Sequence, residues 1–522
     1  MCPIIRHKKP FTRIKKIKGQ EYLYEITPYY DPKTKTVKQK SKYLGKNVNG
    51  TPIKIRSQTT PLISTPKKVL SHGEYLPLLK IINDLDLESI LQKTLPLQHV
   101  WTALTIAMNY LIKPLSSSHI KSWYEGTLLS ETHPDLPLSS QSISKLFDLI
   151  GNSTAHIDFL NHLAQKISTS STLVYDITSI SSYSQMIKHL EWGYNRDGLD
   201  LPQINMSLVV DKEQEIPIMY DLYPGSIVDV TTLKNTIKKL QSCGIKDYTM
   251  IMDRGFFSTP NLEEMVNNGL SFIMPPSTTL KSVKETMSEV HSLISNPNNL
   301  VMYQDEPLFV IPVTIDVGEL SVKGYAYYDQ KREQSERYSF YKRLYEIVER
   351  LRDVRLRPWM NTVNVIKEVA KKNARYISWK VNGDRFEVEL KKNSVSQRVN
   401  RMGRFILLYQ GDFEWEECLS LYRSKDVVEK GFDILKNDIE VMPANVRKDT
   451  IMNGYLFICF LSLILRMRLM KMMRDAKLSK RYSVEALITE LEKNKVMILP
   501  DGTQIVTEQT KRQREILEAL CA

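Results

Sequence analysis

Apolar and polar residues alternate with different rhythms along the chain. From residue 20 to 56 the alternation is that of strands, in Tyr22-Leu-Tyr-Glu-Ile26 and Thr36-Val-Lys-Gln-Lys-Ser-Lys-Tyr-Leu44, with a turn at Tyr30-Asp-Pro-Lys33. Between about Glu74 and Ile167 the spacing becomes helical, as in Trp101-Thr-Ala-Leu-Thr-Ile-Ala-Met-Asn-Tyr-Leu111. Ser139 to Ile150 opens on a cap-like Ser-Ser and reads either as the second helix of a helix-turn-helix or as plain helical packing.

Beyond residue 170 strands and helices alternate. Leu173–Thr178, Ile204–Val210 and Ile216–Tyr223 read as strands, the last two close enough to pair as a hairpin. Tyr248–Met252 and Leu270–Met274 follow, each after a helical stretch. Antiparallel strands first, then parallel strands linked by helices, predict an α/β fold with a mixed sheet of the ribonuclease H kind. Strand patterns at 308–315, 322–328, 375–381, 386–390 and 404–409, with a charged helical stretch from Gln330 to Lys372, predict a β-rich insertion. The expected organisation is a basic β-hairpin module (1–70), a helical DNA-binding region (71–170), a first core part (171–275), the insertion (276–412), a second core part (413–475) and a C-terminal helical region (476–522). The apolar run Tyr455–Leu465 is too short to span a bilayer and reads as a buried core helix.

Charge changes this picture at one end. The formal net charge is +13, and residues 1–56 hold fifteen Lys/Arg against Glu21, Glu25 and Asp31. Such clustering attracts polyanions and gives salt-sensitive affinity for nucleic acid. The five cysteines are scattered without CxxC or Cys/His spacing, and Met1 to Gln20 lacks an apolar signal core. A reducing cytosol, with no disulfide framework and no structural zinc, is the expectation.

The candidate chemistry lies in three places. Asp176 and Asp253 each follow an apolar half-strand, Leu173–Tyr175 and Met250–Met252, so neighbouring strands would bring both carboxylates to one sheet edge. In Leu421–Lys436, at about 100° per residue, Tyr422, Lys425, Glu429 and Lys436 share one side of a helix while Leu421, Val428, Phe432 and Leu435 form an apolar stripe. Taken singly, each acid reads equally well as a turn residue or half of an ion pair. Together, three convergent acids repel one another unless a divalent cation sits between them. Oxygen donors of this kind suit Mg²⁺ or Mn²⁺, and two such ions roughly 3.5–4 Å apart can activate a nucleophile and stabilise the leaving oxygen of a phosphodiester.

Asp176-Ile-Thr178, Asp253-Arg-Gly-Phe256 and Tyr422-x2-Lys425-x3-Glu429-x6-Lys436 resemble the three signature regions of DDE transposases of the IS4 superfamily, with a layout closest to the IS1634 group. The resemblance implies Asp176, Asp253 and Glu429 as catalytic metal ligands, and Tyr422, Lys425 and Lys436 on the phosphate backbone near the transposon end. Arg423 is a further DNA-binding candidate. Lys425 stands where the family pattern has Arg, so a point charge replaces a planar bidentate fork. The activity implied is metal-dependent cleavage at terminal inverted repeats and strand transfer into target DNA by a homodimer on DNA in a prokaryotic cytosol, with no membrane involved. A stand-alone metal-dependent nuclease of the same fold, and a non-catalytic DNA-binding derivative, are the alternatives.

Overall fold

The computed structural model describes residues 9–53, 65–167, 171–184, 186–193, 200–227, 229–439, 446 and 448–521. It divides into two compact units, Met1–Lys68 with Met497–Ile505, and Val69–Val496 with Val506–Ala522.

In the first unit, β1 (Phe11–Ile17), β2 (Gln20–Asp31), β3 (Thr36–Val48) and β4 (Thr51–Ile53) form an antiparallel sheet in chain order. The expected hairpin is β2–β3. β1 escaped the sequence reading because Arg13, Lys15 and Lys16 break its alternation, and all seven of its residues are exposed.

The second unit is built on a nine-stranded sheet. Its third strand from one edge is β5 (Ser171–Ser181), flanked on the edge side by the antiparallel hairpin β6 (Gln203–Asp211) and β7 (Ile216–Pro224). The helix Asp229–Ser242 returns the chain to the other side of β5. There β8 (Tyr248–Met252) pairs parallel with it, and β9 (Ser271–Met274) pairs parallel with β8. Every position of β6 is buried, as expected of a strand covered on both faces. Its polar Asn205 is satisfied there, its Nδ2 donating to the carbonyls of Gly225 (3.2 Å) and Ile227 (3.0 Å).

In the stretch 276–412, where a β-rich insertion with a helical stretch is expected, most strands belong to the main sheet. β10 (Leu300–Tyr303), β11 (Glu306–Val317), β12 (Leu320–Tyr328) and β15 (Arg404–Gln410) extend the same sheet, with β15 hydrogen-bonded antiparallel to both β9 and β12. Pairing β9 with β15 covers a ladder edge that would otherwise be open. Only the hairpin β13 (Ile377–Asn382) and β14 (Arg385–Leu390) forms its own sheet. It shares with the helix Gln330–Asp353 an apolar cluster that includes Leu351, Ile377 and Phe386.

The helical region supplies α1 (Leu97–Ile112) and α2 (Ser140–Gly151), the latter capped by Ser139, whose Oγ accepts from the Ser142 N–H at 3.1 Å. In chain order α3 (Gln330–Asp353), α4 (Trp415–Arg423), α5 (Asp426–Asp433) and α6 (Asp449–Asp475) follow. α6 contains the apolar run read as a core helix, and it packs against α1, α2 and β7. Contact with α2 is so close that a Cβ at Gly454 would lie 2.1 Å from the Phe147 carbonyl oxygen. No helix among the described residues is long and apolar enough to cross a membrane.

Candidate active site

β5 and β8 run parallel with Tyr175 opposite Met252, so Asp176 and Asp253 are the next residues along two neighbouring chain segments. Asp176 remains in the ladder, opposite Leu208 of β6, and its Oδ1 accepts the Ile177 N–H at 2.8 Å. Asp253 follows β8 and precedes the short turn Arg254–Phe256, whose Phe256 ring packs 4.8 Å from that of Tyr175. Asp176 therefore lies in mid-strand and not at the strand end the sequence suggests, and it is the end of β8 that brings Asp253 level with it.

The helix expected over 414–436 is interrupted. α4 ends at Arg423, the Ser424 hydroxyl donates to the Leu421 carbonyl (2.6 Å), and the Lys425 N–H bonds three residues back to Tyr422 (3.2 Å) before α5 begins. Ser424 competes for a helix carbonyl in the manner of short hydroxyl side chains. After α5 a π-turn, Ile434–Asp438, closes with the Ile439 N–H on the Ile434 carbonyl. The 100° step therefore does not carry through to Lys436, which lies in that π-turn.

The break leaves the central group together. The Tyr422 hydroxyl donates to Asp253 Oδ1 at 3.4 Å, Lys425 Nζ lies 3.8 Å from the same oxygen, and Lys425 Nζ reaches Glu429 Oε1 at 2.9 Å. One ammonium thus stands between the second and third candidate acids. Burial opposes the charge of Lys425, yet Glu429, Tyr422 and Asp253 outweigh that cost and hold it above the usual lysine range. Burial, reinforced by Asp253 and opposed by Lys425, pushes the Tyr422 phenol up to about 12.

α5, which carries Glu429, lies against the strand of Asp176. It packs on β5 and β6, and a Cβ at its Gly431 would lie 3.2 Å from Leu208, the residue paired with Asp176. Arg423 goes elsewhere: it pairs with Asp329 at 3.3 Å and lies over the Tyr303 ring at 4.7 Å. The structure thus joins Asp253, Tyr422, Lys425 and Glu429, sets Asp176 beside Asp253, and directs Arg423 to a different neighbourhood.

No three His, Cys, Asp or Glu among the described residues are grouped as a metal site. The donor chemistry nevertheless suits a hard cation, because two carboxylates already share a positive charge and a third lies beside one of them. As it stands, that charge is Lys425.

Beside Asp253 opens a cleft of about 480 Å³. Its cations are Arg254, Lys284, Arg332, Arg398, Arg401, Arg404 and Lys425, against the acids Asp253 and Glu336. Arg332 lies 4.8 Å from the Phe405 ring and bonds Glu336 at 2.9 Å, while Arg404 sits 4.0 Å over Tyr328. Arg404 Nη1 donates to the carbonyls of Asn400 (3.1 Å) and Met402 (3.3 Å), and its buried Nε has no partner. Sequence reasoning missed these arginines. The signal was the three-residue spacing in Arg398-Val-Asn-Arg-Met-Gly-Arg404, legible only as charge until the next strand joined the main sheet.

The sequence profile described as "Transposase DDE domain" matches residues 167–465, more than half of the chain and every residue of the group just described. The chain belongs to the DDE transposase family. Among solved structures, this transposase is similar to the cryo-EM "piggyBac transposase synaptic complex with hairpin DNA", with 10% identity, a TM-score of 0.38, and coverage of 80% of this chain and 79% of that one. No curated protein gives a match.

Proposed function

We propose that this transposase binds the ends of its own mobile element as double-stranded DNA, cleaves phosphodiester bonds there and joins the freed 3′-hydroxyls to target DNA. The observation that carries this reading is the Asp253–Lys425–Glu429 chain, with Asp176 next to Asp253, opening onto a cleft lined by arginines. The strand order β7-β6-β5-β8-β9 supports a ribonuclease H-like core, and the motif spacing supports the IS4 superfamily and its IS1634 group.

In this proposal Asp176, Asp253 and Glu429 hold Mg²⁺ or Mn²⁺, as one ion or two, and the ions supply Lewis acidity at the scissile phosphate. Lys425 and Tyr422 orient the adjacent backbone: a charged Lys425 neutralises a phosphate oxygen, and the protonated Tyr422 phenol donates to another. Arg332, Arg398, Arg401 and Arg404 carry the neighbouring phosphates, with Arg as the residue suited to planar anion contacts. Lys436 and Arg423 are assigned outer backbone contacts. Joining two ends implies a homodimer on DNA.

The test incubates purified protein with Mg²⁺ and DNA carrying the element's terminal repeats. Wild type should nick and transfer strands, whereas Asp253→Asn should bind the ends and leave them intact. Undiminished cutting by that variant would overturn the assignment, and cutting without strand transfer would leave a nuclease.

A further inference from the structure

The sheet of the first unit segregates its residues by face, and the two faces differ in chemistry. Opposed residues of antiparallel strands share a face, so β1 contributes Phe11, Arg13 and Lys15 to the face on which β2 places Tyr22, Tyr24 and Tyr30 and β3 places Tyr43 and Lys46. Contacts confirm the grouping. Lys15 Nζ lies 4.8 Å over the Tyr24 ring, Arg13 lies 5.8 Å from the Phe11 ring, and Tyr43 packs 6.1 Å from Tyr22 and 5.4 Å from Tyr24.

The acids lie on the other face. Glu21, Glu25 and Asp31 occupy odd positions of β2, where Glu21 meets Lys16 (3.2 Å), Glu25 faces Lys42 in register, and Asp31 meets Lys38 (2.6 Å). On β1, β2 and β3 the face of Tyr22, Tyr24, Tyr30 and Tyr43 therefore holds cations and no carboxylate, while Tyr29 is the ring these strands place on the other face. Ile26 is buried in the middle of the first face, while Phe11, Tyr30 and Tyr43 remain 43%, 42% and 44% exposed. Large aromatic rings left open beside uncompensated Arg and Lys suit a ligand that carries negative charge and flat faces at a regular repeat. Unpaired bases on a phosphate backbone supply both, whereas in a duplex the base faces are stacked on one another and out of reach.

We propose that this face binds single-stranded DNA, its rings stacking on unpaired bases while Arg13, Lys15 and Lys46 neutralise the intervening phosphates. The proposal rests on the DNA-handling reading only for the choice of DNA as the polyanion. Its test reads binding and not cleavage, so either reading can fail while the other stands.

The full-length protein is titrated, by fluorescence anisotropy, into a labelled oligothymidylate of about 20 nucleotides and, separately, into a duplex of the same length. The Phe11→Ala/Tyr43→Ala double variant should lose roughly 10- to 100-fold in affinity for the single strand and change less than about threefold on the duplex. Tyr43→Phe, which keeps the ring, should bind the single strand as wild type does. Loss of affinity on both probes alike, or on neither, would overturn the proposal. Should the double variant not fold, wild-type protein is photocrosslinked to a bromodeoxyuridine-substituted strand and the adducts mapped. Adducts at Phe11, Tyr30 or Tyr43 support the proposal, and adducts confined to the arginine cleft of the second unit refute it.

Discussion

Lys425 has three partners in the site, Asp253, Glu429 and the Tyr422 ring, so its removal would leave two acids facing each other without a counterion. Lys425→Ala is expected to lower the cleavage rate by about 10²- to 10³-fold, the scale for losing one preorganised charge at a reacting phosphate. Lys425→Arg should retain most activity and bind end DNA more tightly through a bidentate fork, which a filter-binding titration would show. A second prediction concerns Asp211, the last residue of β6, whose Oδ1 accepts the Gln214 N–H of the following turn at 2.7 Å. Burial raises its pKa from the ordinary 3.8 to about 6. The folded state therefore takes up a proton more readily than the unfolded chain, and ionisation costs stability as pH rises through that window. Asp211→Asn keeps the acceptor without the charge. It should be more stable than wild type by ~1–3 kcal/mol above about pH 7, with the gap closing near pH 4 in urea unfolding. The grouping of Asp253, Tyr422, Lys425 and Glu429 was legible because set intervals on a helix and strand-end positions are local features. The cleft arginines were not, since their meaning depends on which strand β15 pairs with.

At the scale of elements, the hairpin β6–β7, the crossover strands β8 and β9 and the buried run within α6 all follow from periodicity, which reports burial directly. Breaks inside a helix are less visible. The interruption at Ser424 and the π-turn after α5 arise from a hydroxyl and a hydrogen-bond slip, neither of which alters the apolar spacing. β1 was hidden because a strand exposed at every position needs no alternation. Two substitutions test how the helices are held. Ser139→Ala removes the α2 cap and should cost about 0.5–2 kcal/mol in chemical unfolding. Gly454→Ala drives a methyl into the backbone of α2 and should cost at least about 1–3 kcal/mol, with unchanged helicity by circular dichroism until the transition.

Among the described residues, positive charge gathers on the exposed sheet of the first unit and along the arginine-lined cleft of the second. Binding to end DNA should weaken linearly with the logarithm of salt concentration. The Arg398→Gln/Arg401→Gln double variant should reduce that slope by roughly two ions, whatever the DNA sequence. The architecture of 276–412 was the least legible feature, since strand patterns show that strands exist but not whether they join a neighbour's sheet or make their own.

That shared sheet fixes the spacing between the strand of Arg404 and the strand that leads into Asp253. β8, β9 and β15 are consecutive in one hydrogen-bonded ladder, so the strand that begins at Arg404 is two ladder steps, about 10 Å, from the strand that leads into Asp253. No linker intervenes, and the offset cannot relax without breaking backbone pairs. On the proposed reading the sheet acts as a gauge: a phosphate seated on Arg404 would fix which bond along the strand lies at the acids, so the cutting position should be measured from the backbone and not from the bases.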